Sequence, residues 1–257
     1  MCGRYALYGP KSRSAAEKKS LADADRALIE RFIDKYFETA APRYNIAPQQ
    51  GNPKNFIPIV RAGTAGEPEL ALVQWWLLPN WSKEPRVKFS TFNARIESVG
   101  TLASFRDSLK KRRCLIPASG WYEWQELPTG NLPWFVHPSG DGLLFFAGLW
   151  DRWERGGEII ESCTIIVGPA EESVKPFRDR APYTVADGDI RAWLDPARQD
   201  ADAAQRLLRL FAQGSVAAHR VGKQINSARN DHASLMEALP DEVRLPCITG
   251  NPGRGRG

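Results

Sequence analysis

The stretch "RRCLIPASGWYEW" at residues 112–124 is the strongest indicator of fold in this chain. Its apolar and aromatic residues predict a strand over residues 114–125. Side chains alternate between the two faces of a strand, so Trp121 and Glu123 share one face. A carboxylate among tryptophans in an otherwise apolar strand makes Glu123 a candidate for chemistry.

Further strands and helices are predicted on both sides of this segment. Short apolar runs separated by Gly or Pro predict strands at residues 2–8, 55–61, 69–78, 133–137, 143–153 and 162–168. Helices are predicted at residues 14–37, 100–113, 186–194 and 202–214. Strands dominate and do not alternate regularly with helices, so the pattern predicts an α+β fold.

Composition indicates a globular protein. Of 257 residues, 42% are apolar and 25% charged, and no linker divides the chain. We therefore expect one domain over residues 1–250, followed by a disordered basic tail at residues 251–257. No apolar run approaches the ~18 residues of a membrane span, and the segment after the first strand is polar. We expect a cytoplasmic protein.

Charge and cysteine usage narrow the choice of partners. The formal charge of +5 favours a polyanionic partner, although many basic proteins bind no nucleic acid. The four cysteines lack the spacing of a zinc site or of a disulfide framework, so we expect reduced thiols, no metal and no cofactor. They are Cys2, Cys114, Cys163 and Cys247.

Two further segments place polar residues on one face of a predicted strand. If "CGRY" is extended, Cys2 and Arg4 point the same way. In "TFNARIES", at residues 91–98, the same alternation groups Asn93, Arg95 and Glu97, and the apolar residues between them face a core. Each segment taken alone could be an ordinary amphipathic strand.

Seven motifs in order resemble those of the SOS-response-associated peptidase (SRAP) domain proteins, which include bacterial and eukaryotic shields of abasic sites in single-stranded DNA. The resemblance covers nearly the whole chain and implies a single domain, a strongly bent, mostly antiparallel sheet or open barrel with flanking helices, and a monomer. The motifs are "MCGRY" at the start, "RYNIAP" at 43–48, "WWLLPNW" at 75–81, "FNARIES" at 92–98, "RRCLIPASGWYEW" at 112–124, "RDRAP" at 178–182 and "VGKQINSARND" at 221–231.

The resemblance implies a reaction at Cys2. Removal of Met1 would leave an α-amine and a thiol on one residue. The amine, with a reference pKa of about 8, is partly neutral near pH 7 and can attack the aldehyde of an abasic sugar to form an imine. The thiolate then closes a thiazolidine ring, which leaves a stable DNA–protein crosslink that shields the lesion during the DNA damage response.

Roles for the surrounding residues also come from the resemblance. Asn93 is expected to hold the amino-terminal residue through its amide, and Glu123 to act as acid and base. Arg4 and Arg95 are expected to hold phosphates beside the lesion, contacts that position a strand without reading its sequence.

Aromatic residues are the candidates for stacking on bases. Trp76, Trp81 and Trp121 are expected to contact single-stranded DNA, because base stacking tolerates any sequence. Asn45 is expected to support the DNA site through hydrogen bonds, or equally to serve as an Asx-type turn residue. The run "KKRR" at residues 110–113 is either a basic patch or a complement to a helix C-terminus.

One position departs from the family pattern. The family usually has His-Asp-Arg-Met-Pro where this chain has "RDRAP", so Arg178 replaces a histidine expected to carry protons. Arginine cannot shuttle a proton near neutrality, although it can hold a phosphate. Either the crosslink forms and reverses slowly, or this chain only binds DNA. Among the histidines, His219 is the expected substitute, whereas His137 and His232 are expected in loops.

Two alternative functions stay open at this point. The family name suggests an N-terminal-cysteine peptidase with autocatalytic removal of Met1, in which the Cys2 thiolate attacks an amide and the α-amine is the base. A non-catalytic single-stranded-DNA-binding module is favoured by Arg178. Salt-sensitive binding that survives Cys2→Ala and needs no abasic site would indicate the second alternative.

Overall fold

The computed structural model describes residues 2–9, 24–64, 66–170 and 174–240 of the chain. The predicted tail at 251–257, Cys247 and the part of the first predicted helix before residue 24 lie outside these ranges. The strands are β1 Tyr5–Leu7, β2 Arg43–Ile46, β3 Ile57–Ala62, β4 Pro68–Trp75, β5 Asn93–Arg95, β6 Arg113–Ala118, β7 Gly120–Gln125, β8 Leu132–Pro138, β9 Leu144–Arg155, β10 Glu158–Pro169, β11 Arg180–Pro182, β12 Thr184–Val185, β13 Leu208–Arg209 and β14 Val216–Arg220. The helices are α1 Ala24–Phe37, α2 Arg106–Lys111, α3 Ile190–Leu194 and α4 Ala201–Leu207.

Five strands close into a ring. Antiparallel pairing runs from β4 through β3, β6 and β9 to β10. A short parallel pairing of β10 with β4 completes the circle. Two short strands, β5 and β11, also pair with β10. The predicted α+β class with a bent, mostly antiparallel sheet is confirmed, and the ring of pairings is closed.

A second sheet of five antiparallel strands packs beside the ring, in the order β14-β8-β7-β1-β2. It contains the first and the last of these strands in the described chain, so it brings distant segments together. In particular, β1 lies between β7 and β2. This sheet therefore fixes where the amino-terminal residues lie.

The strand predicted over residues 114–125 was wrong in one respect, because it is two strands in two different sheets. β6 ends at Ala118 and β7 begins at Gly120. A Cβ atom on Gly120 would lie 2.4 Å from the Phe135 ring and 2.6 Å from the Val136 oxygen, so only glycine permits this approach. Ser119 between them donates its backbone N–H to the Ala6 oxygen and thereby anchors the corner.

The flanking helices are shorter than predicted. The helix predicted over 100–113 is only α2, and that over 186–194 is a short turn followed by α3. The helix predicted over 202–214 ends with α4, because Leu208 and Arg209 pair with β12. Helix α1 packs against β4, and α2 packs against β6 and β9. Among the described helices, none is long and apolar enough to cross a membrane.

The run "KKRR" serves the fold. Arg113 is buried, and its guanidinium donates to the carbonyl oxygens of Leu109, Lys110, Trp193 and Asp195. Two of these carbonyls belong to the last turn of α2, which agrees with the helix C-terminus alternative. Arg112 forms an ion pair with the buried Asp151 at 3.1 Å. Two of the four basic residues in this run, Arg112 and Arg113, therefore bind groups of the protein itself.

Candidate active site

Strand β1 brings Cys2 to Glu123. Tyr5 pairs with Trp121, and the Tyr122 N–H donates to the Arg4 oxygen at 3.0 Å, so the chain before Tyr5 continues alongside β7 towards Glu123. Residues 2–4 are not part of the strand, although a strand was predicted from residue 2. The Cys2 side chain is fully buried.

Asn93 holds Cys2 from the other side. Strand β5 places Asn93 opposite Ile165 of β10. Its Nδ2 donates to the Cys2 backbone oxygen at 2.7 Å. Its Oδ1 is buried and accepts no hydrogen bond from the described part of the chain. We call Cys2, Asn93 and Glu123 the amino-terminal pocket. Within it, the Asn93 side-chain oxygen is a buried acceptor that the described part of the chain does not use.

Burial makes Glu123 a weak acid. The side chain is 1% exposed. Desolvation raises its pKa to about 7, although positive charge at the amino terminus and on Arg178 opposes this shift. Near neutral pH both forms of the carboxyl are populated, so it can donate or accept a proton.

The Cys2 thiol responds to the same surroundings. Burial raises the pKa of Cys2 well above the ordinary thiol value, and the nearby Glu123 carboxylate raises it further. The thiol is therefore protonated at neutral pH and needs a base before it can act as a nucleophile. Glu123 is the carboxylate that interacts with it.

The partly buried Arg4 and the buried Asn45 form a support beside this pocket. Arg4 Nη1 donates to Asn45 Oδ1 and to the Ile225 oxygen, each at 2.9 Å. The Asn45 amide donates to the oxygens of Ser227 and Asn230. Asn45 is buried with its side chain occupied, which favours the supporting role over contact with DNA. Arg4 is partly occupied, and Arg95, the other expected phosphate ligand, is exposed.

Arg178 lies next to Glu123 and lowers its pKa. Its Nη1 contacts the Trp124 oxygen at 3.4 Å and forms an ion pair with Glu126. Other contacts fix the turn that carries it: Phe177 packs on Trp134 with ring centroids 4.2 Å apart, and Gln125 donates to the Pro176 oxygen. The guanidinium is thus held at the edge of the pocket, where the family pattern has histidine.

His219 cannot replace that histidine, so this prediction was wrong. In the second sheet His219 pairs with Phe135, which pairs with Tyr122, whereas Glu123 pairs with Trp134. Paired residues point to the same face, so His219 and Glu123 lie on opposite faces. His219 Nε2 lies 2.7 Å from the Met236 oxygen. His137 was predicted in a loop but belongs to β8 and packs against His219.

Trp121 is a core residue, and its assignment to DNA contact was wrong. Its side chain is fully buried. The ring stacks on Phe211 and meets Phe146 edge to face, with centroids 5.7 and 5.9 Å apart. Alternation predicted correctly that Trp121 and Glu123 share a face. At Trp121 that face is covered by Phe146 and Phe211, so this ring is not open to a strand of DNA.

Trp81 lies on an exposed apolar surface. Its side chain is 47% exposed, and its indole N–H donates to the Ala103 oxygen at 3.1 Å. Phe89 and Leu102 are exposed to a similar extent. Trp76 is half-buried and packs on Phe92, the neighbour of Asn93, with centroids 5.2 Å apart. We call Trp76, Trp81, Phe89 and Leu102 the aromatic surface. Its Trp76 contacts Phe92, which precedes Asn93 of the pocket in sequence.

The loop that presents Trp81 is fixed. Asp151 accepts a hydrogen bond from the Asn80 N–H at 3.0 Å. The Trp153 indole donates to the Ser82 oxygen at 2.8 Å. Both contacts flank Trp81 in sequence, so its ring is held at a set position while remaining exposed.

Sequence reasoning missed several residues that organise the site. Asp231 accepts hydrogen bonds from the backbone N–H groups of Tyr44 and Asn45, and thereby fastens β2. Asn226 accepts from the Trp124 indole at 2.7 Å through its side chain. Both belong to the quoted motif at 221–231, which gave the only available signal. In the described residues, no group of three or more His, Cys, Asp or Glu side chains could hold a metal ion.

Fold and site define an α+β protein whose closed ring and second sheet enclose an amino-terminal thiol next to a carboxyl that titrates near neutrality. The chain belongs to the SOS response associated peptidase (SRAP) family, whose model matches residues 1–228. The family resemblance noted in the sequence is confirmed.

Curated relatives cover most of the chain. The abasic site processing protein YoqW of Bacillus subtilis (strain 168) is 31% identical over 243 residues, which span 93% of this chain and all of the relative. The abasic site processing protein HMCES of Gallus gallus is 32% identical over 233 residues, which span 80% of this chain and 68% of that protein.

Solved structures share the fold. A protein from Bacteroides thetaiotaomicron matches with a TM-score of 0.69 at 19% identity, over 93% of this chain and all of that one. A phage-related protein from Bordetella bronchiseptica matches with a TM-score of 0.61 at 26% identity, again over 93% of this chain and all of that one. The first of these likenesses bears on the fold alone.

Proposed function

We propose that this protein, once Met1 is removed, binds single-stranded DNA at abasic sites and forms a covalent thiazolidine crosslink through Cys2. The relatives named as abasic site processing proteins support the type of lesion. The observation that carries the proposal is the pocket itself, in which Asn93 holds the Cys2 carbonyl and Glu123, with a pKa of about 7, interacts with the thiol. We assign the activity to the response to DNA damage.

The first step forms a bond between the Cys2 nitrogen and the sugar aldehyde. The neutral amine attacks the aldehyde carbon, and the resulting carbinolamine loses its hydroxyl as water. Glu123 in its protonated form donates the proton that this hydroxyl needs. An iminium ion and a Glu123 carboxylate result. A pKa near neutrality allows Glu123 to be protonated while part of the amine is neutral.

The second step closes the ring. The Glu123 carboxylate takes the proton of the Cys2 thiol, whose pKa is too high for spontaneous ionisation at neutral pH. The sulfur then attacks the iminium carbon and gives the thiazolidine. One water is lost overall, no oxidant is needed, and Glu123 returns to its protonated form.

The test is a crosslinking assay on denaturing gels. A single-stranded oligonucleotide with one uracil is treated with uracil-DNA glycosylase to generate an abasic site and then incubated with the protein. We expect a shifted band that withstands denaturant and is absent for the untreated oligonucleotide. Absence of that band, with removal of Met1 verified by mass, would reject the proposal.

A second candidate function is favoured by Arg178. Because arginine cannot move protons near neutrality, the protein could bind DNA without efficient chemistry. The discriminating variant is Arg178→His. If Arg178 only slows the reaction, Arg178→His should form and reverse the crosslink faster than wild type, as followed by band intensity over time. If neither protein crosslinks while both bind the oligonucleotide in a salt-sensitive manner, the binding module is the better account.

A further inference from the structure

Arg178 has an exposed carboxylate partner that the reaction above does not use. Glu126 follows β7 directly, and its carboxylate forms an ion pair with Arg178 Nη1. The Glu126 side chain is 69% exposed, and that of Arg178 is 30% exposed. Ion pairs this close to solvent are weak, because water stabilises the separated charges nearly as well. A competing anion could therefore take the place of Glu126.

The pair is not needed to hold the turn that carries Arg178. Phe177 packs on Trp134, and Gln125 donates to the Pro176 oxygen at 3.2 Å. Val174 accepts backbone hydrogen bonds from Phe177 and Arg178, which close the turn. The turn is thus anchored by contacts that do not involve Glu126, so it can keep its position when the ion pair is broken.

The charges around Arg178 indicate what that purpose is. Glu123 and Asp179 lie near enough to interact electrostatically within this site, but Glu126 is the carboxylate in direct contact with the guanidinium. A guanidinium binds carboxylate and phosphate oxygens with the same planar donor geometry. The Glu126 carboxylate therefore occupies a position suited to a phosphate group at the rim of the pocket.

We propose that Glu126 stands in for a DNA phosphate: it pairs with Arg178 in the free protein and is displaced when a phosphate of the bound strand takes the guanidinium. This inference rests on the proposed function, because it assumes a DNA strand at the pocket. Glu126 then lowers affinity for DNA and reduces the number of ions released on binding. Because a strand without a phosphate at this point leaves the pair intact, Glu126 reduces the preference of the site for strands that carry one.

The test compares Glu126→Gln with wild type in equilibrium binding. The probe is a fluorescent single-stranded oligonucleotide with a tetrahydrofuran abasic analogue, which has no aldehyde, so anisotropy reports binding alone. We expect Glu126→Gln to bind about two- to fivefold more tightly, the range that one exposed ion pair allows. The plot of log affinity against log salt should steepen by up to about 0.7, the value for one phosphate contact on a single strand.

Glu154→Gln is the matched control. Glu154 also forms an exposed ion pair, with Arg152 at 2.9 Å, but on β9 where that strand pairs with the start of β10, away from the pocket. We expect no change for this variant. In an Arg178→Gln background the effect of Glu126→Gln should vanish, since the two substitutions act on one interaction. Melting temperatures check that all variants fold.

The outcomes separate this inference from the proposed function. Equal affinity and salt dependence for Glu126→Gln and wild type, in a protein that crosslinks, would overturn the phosphate stand-in and leave the crosslinking proposal intact. Tighter binding by Glu126→Gln that persists without Arg178 would also overturn it. Tighter, Arg178-dependent binding in a protein that never crosslinks would support the inference while the crosslinking proposal fails.

Discussion

The amino-terminal pocket and the aromatic surface differ in what they bury, although Trp76 of the surface contacts Phe92, the sequence neighbour of Asn93 in the pocket. The pocket buries polar groups: Cys2 and Glu123 are shielded from water, and Asn93 bonds the Cys2 carbonyl. The aromatic surface leaves apolar groups exposed, with Trp81 47% accessible on a fixed loop. Burial changes the acidity of a group, whereas exposure lets a ring stack on a base.

This difference indicates a division of labour. A pKa shift of the size at Glu123 requires exclusion of water, so proton transfer belongs in the pocket. Stacking on bases needs an accessible ring but no particular pKa, so we assign DNA binding to the aromatic surface. Substitutions in the two regions should therefore affect different measurements, and the following experiments test that separation.

The largest effect is expected at Cys2. Cys2→Ala keeps the amine but removes the sulfur that closes the ring, so the denaturant-stable crosslink should be lost. Affinity for the tetrahydrofuran oligonucleotide should stay within about twofold of wild type, because surface contacts remain. A denaturing gel and anisotropy on the same preparation measure both quantities. A crosslink of wild-type stability in Cys2→Ala would contradict the assignment of the chemistry to the pocket.

Glu123→Gln should slow crosslinking by about 100- to 10,000-fold, the usual range for loss of a general acid or base. In wild type the rate needs protonated Glu123, with a pKa of about 7, and a neutral amine, with a reference pKa of about 8. The rate should therefore pass through a maximum between these values. Single-turnover rates from pH 5 to 9 measure it, and Glu123→Gln should lose the decline on the alkaline side. An unchanged pH dependence of the rate in Glu123→Gln would show that Glu123 takes no part in the reaction.

Glu123 should also make the fold depend on pH. Its pKa is raised from 4.5 to about 7 by folding, so the folded state keeps a proton that the unfolded state releases. Stability should therefore fall as pH rises from about 4.5 to about 7 and level off above, by on the order of 3 kcal/mol. Urea unfolding of wild type and Glu123→Gln measures the difference. The variant should gain relative stability over this window, and a difference independent of pH would contradict the raised pKa.

Trp81→Ala tests the other region. Loss of one stacking side chain should weaken binding of single-stranded oligonucleotide by about 5- to 150-fold, which corresponds to about 1–3 kcal/mol. The crosslinking rate at saturating oligonucleotide should not change, because the pocket is intact. Leu72→Ala is a control at another exposed apolar side chain, on β4. A lower crosslinking rate at saturating oligonucleotide in Trp81→Ala would show that DNA binding and the crosslinking reaction are not separable.

The strands of the ring could be predicted from sequence because each is an apolar or aromatic run between Gly or Pro signals. The corner at Ser119 was missed although Ser119 and Gly120 form a turn dipeptide, because apolar runs on both sides of it favour one continuous strand. It depends on the approach of Gly120 to Phe135, which belongs to a strand that follows in the chain. The helix predicted over 202–214 was too long because strand pairing ends α4 before its periodic pattern does. The helix predicted over 100–113 was too long mainly at its start, where residues 100–105 form turns.

The residues of the site could be predicted from sequence, but their arrangement in space could not. Motifs singled out Cys2, Asn93 and Glu123, but the contact between Asn93 and Cys2 depends on β5 lying parallel to β10, which no local pattern specifies. Trp121 was misassigned because alternation gives a face and does not say what covers it. The role of Glu126 requires knowing where the turn bearing Arg178 packs.

The central claim is that one trimmed amino-terminal residue supplies both nucleophiles. Intact mass and peptide mapping of wild-type protein incubated with the abasic-site oligonucleotide test it most directly. We expect an adduct equal to the chain without Met1 plus the oligonucleotide less one water, mapped to Cys2 and stable without a reducing agent. An adduct on a chain that still begins with Met1, or one mapped to a different residue, would contradict it.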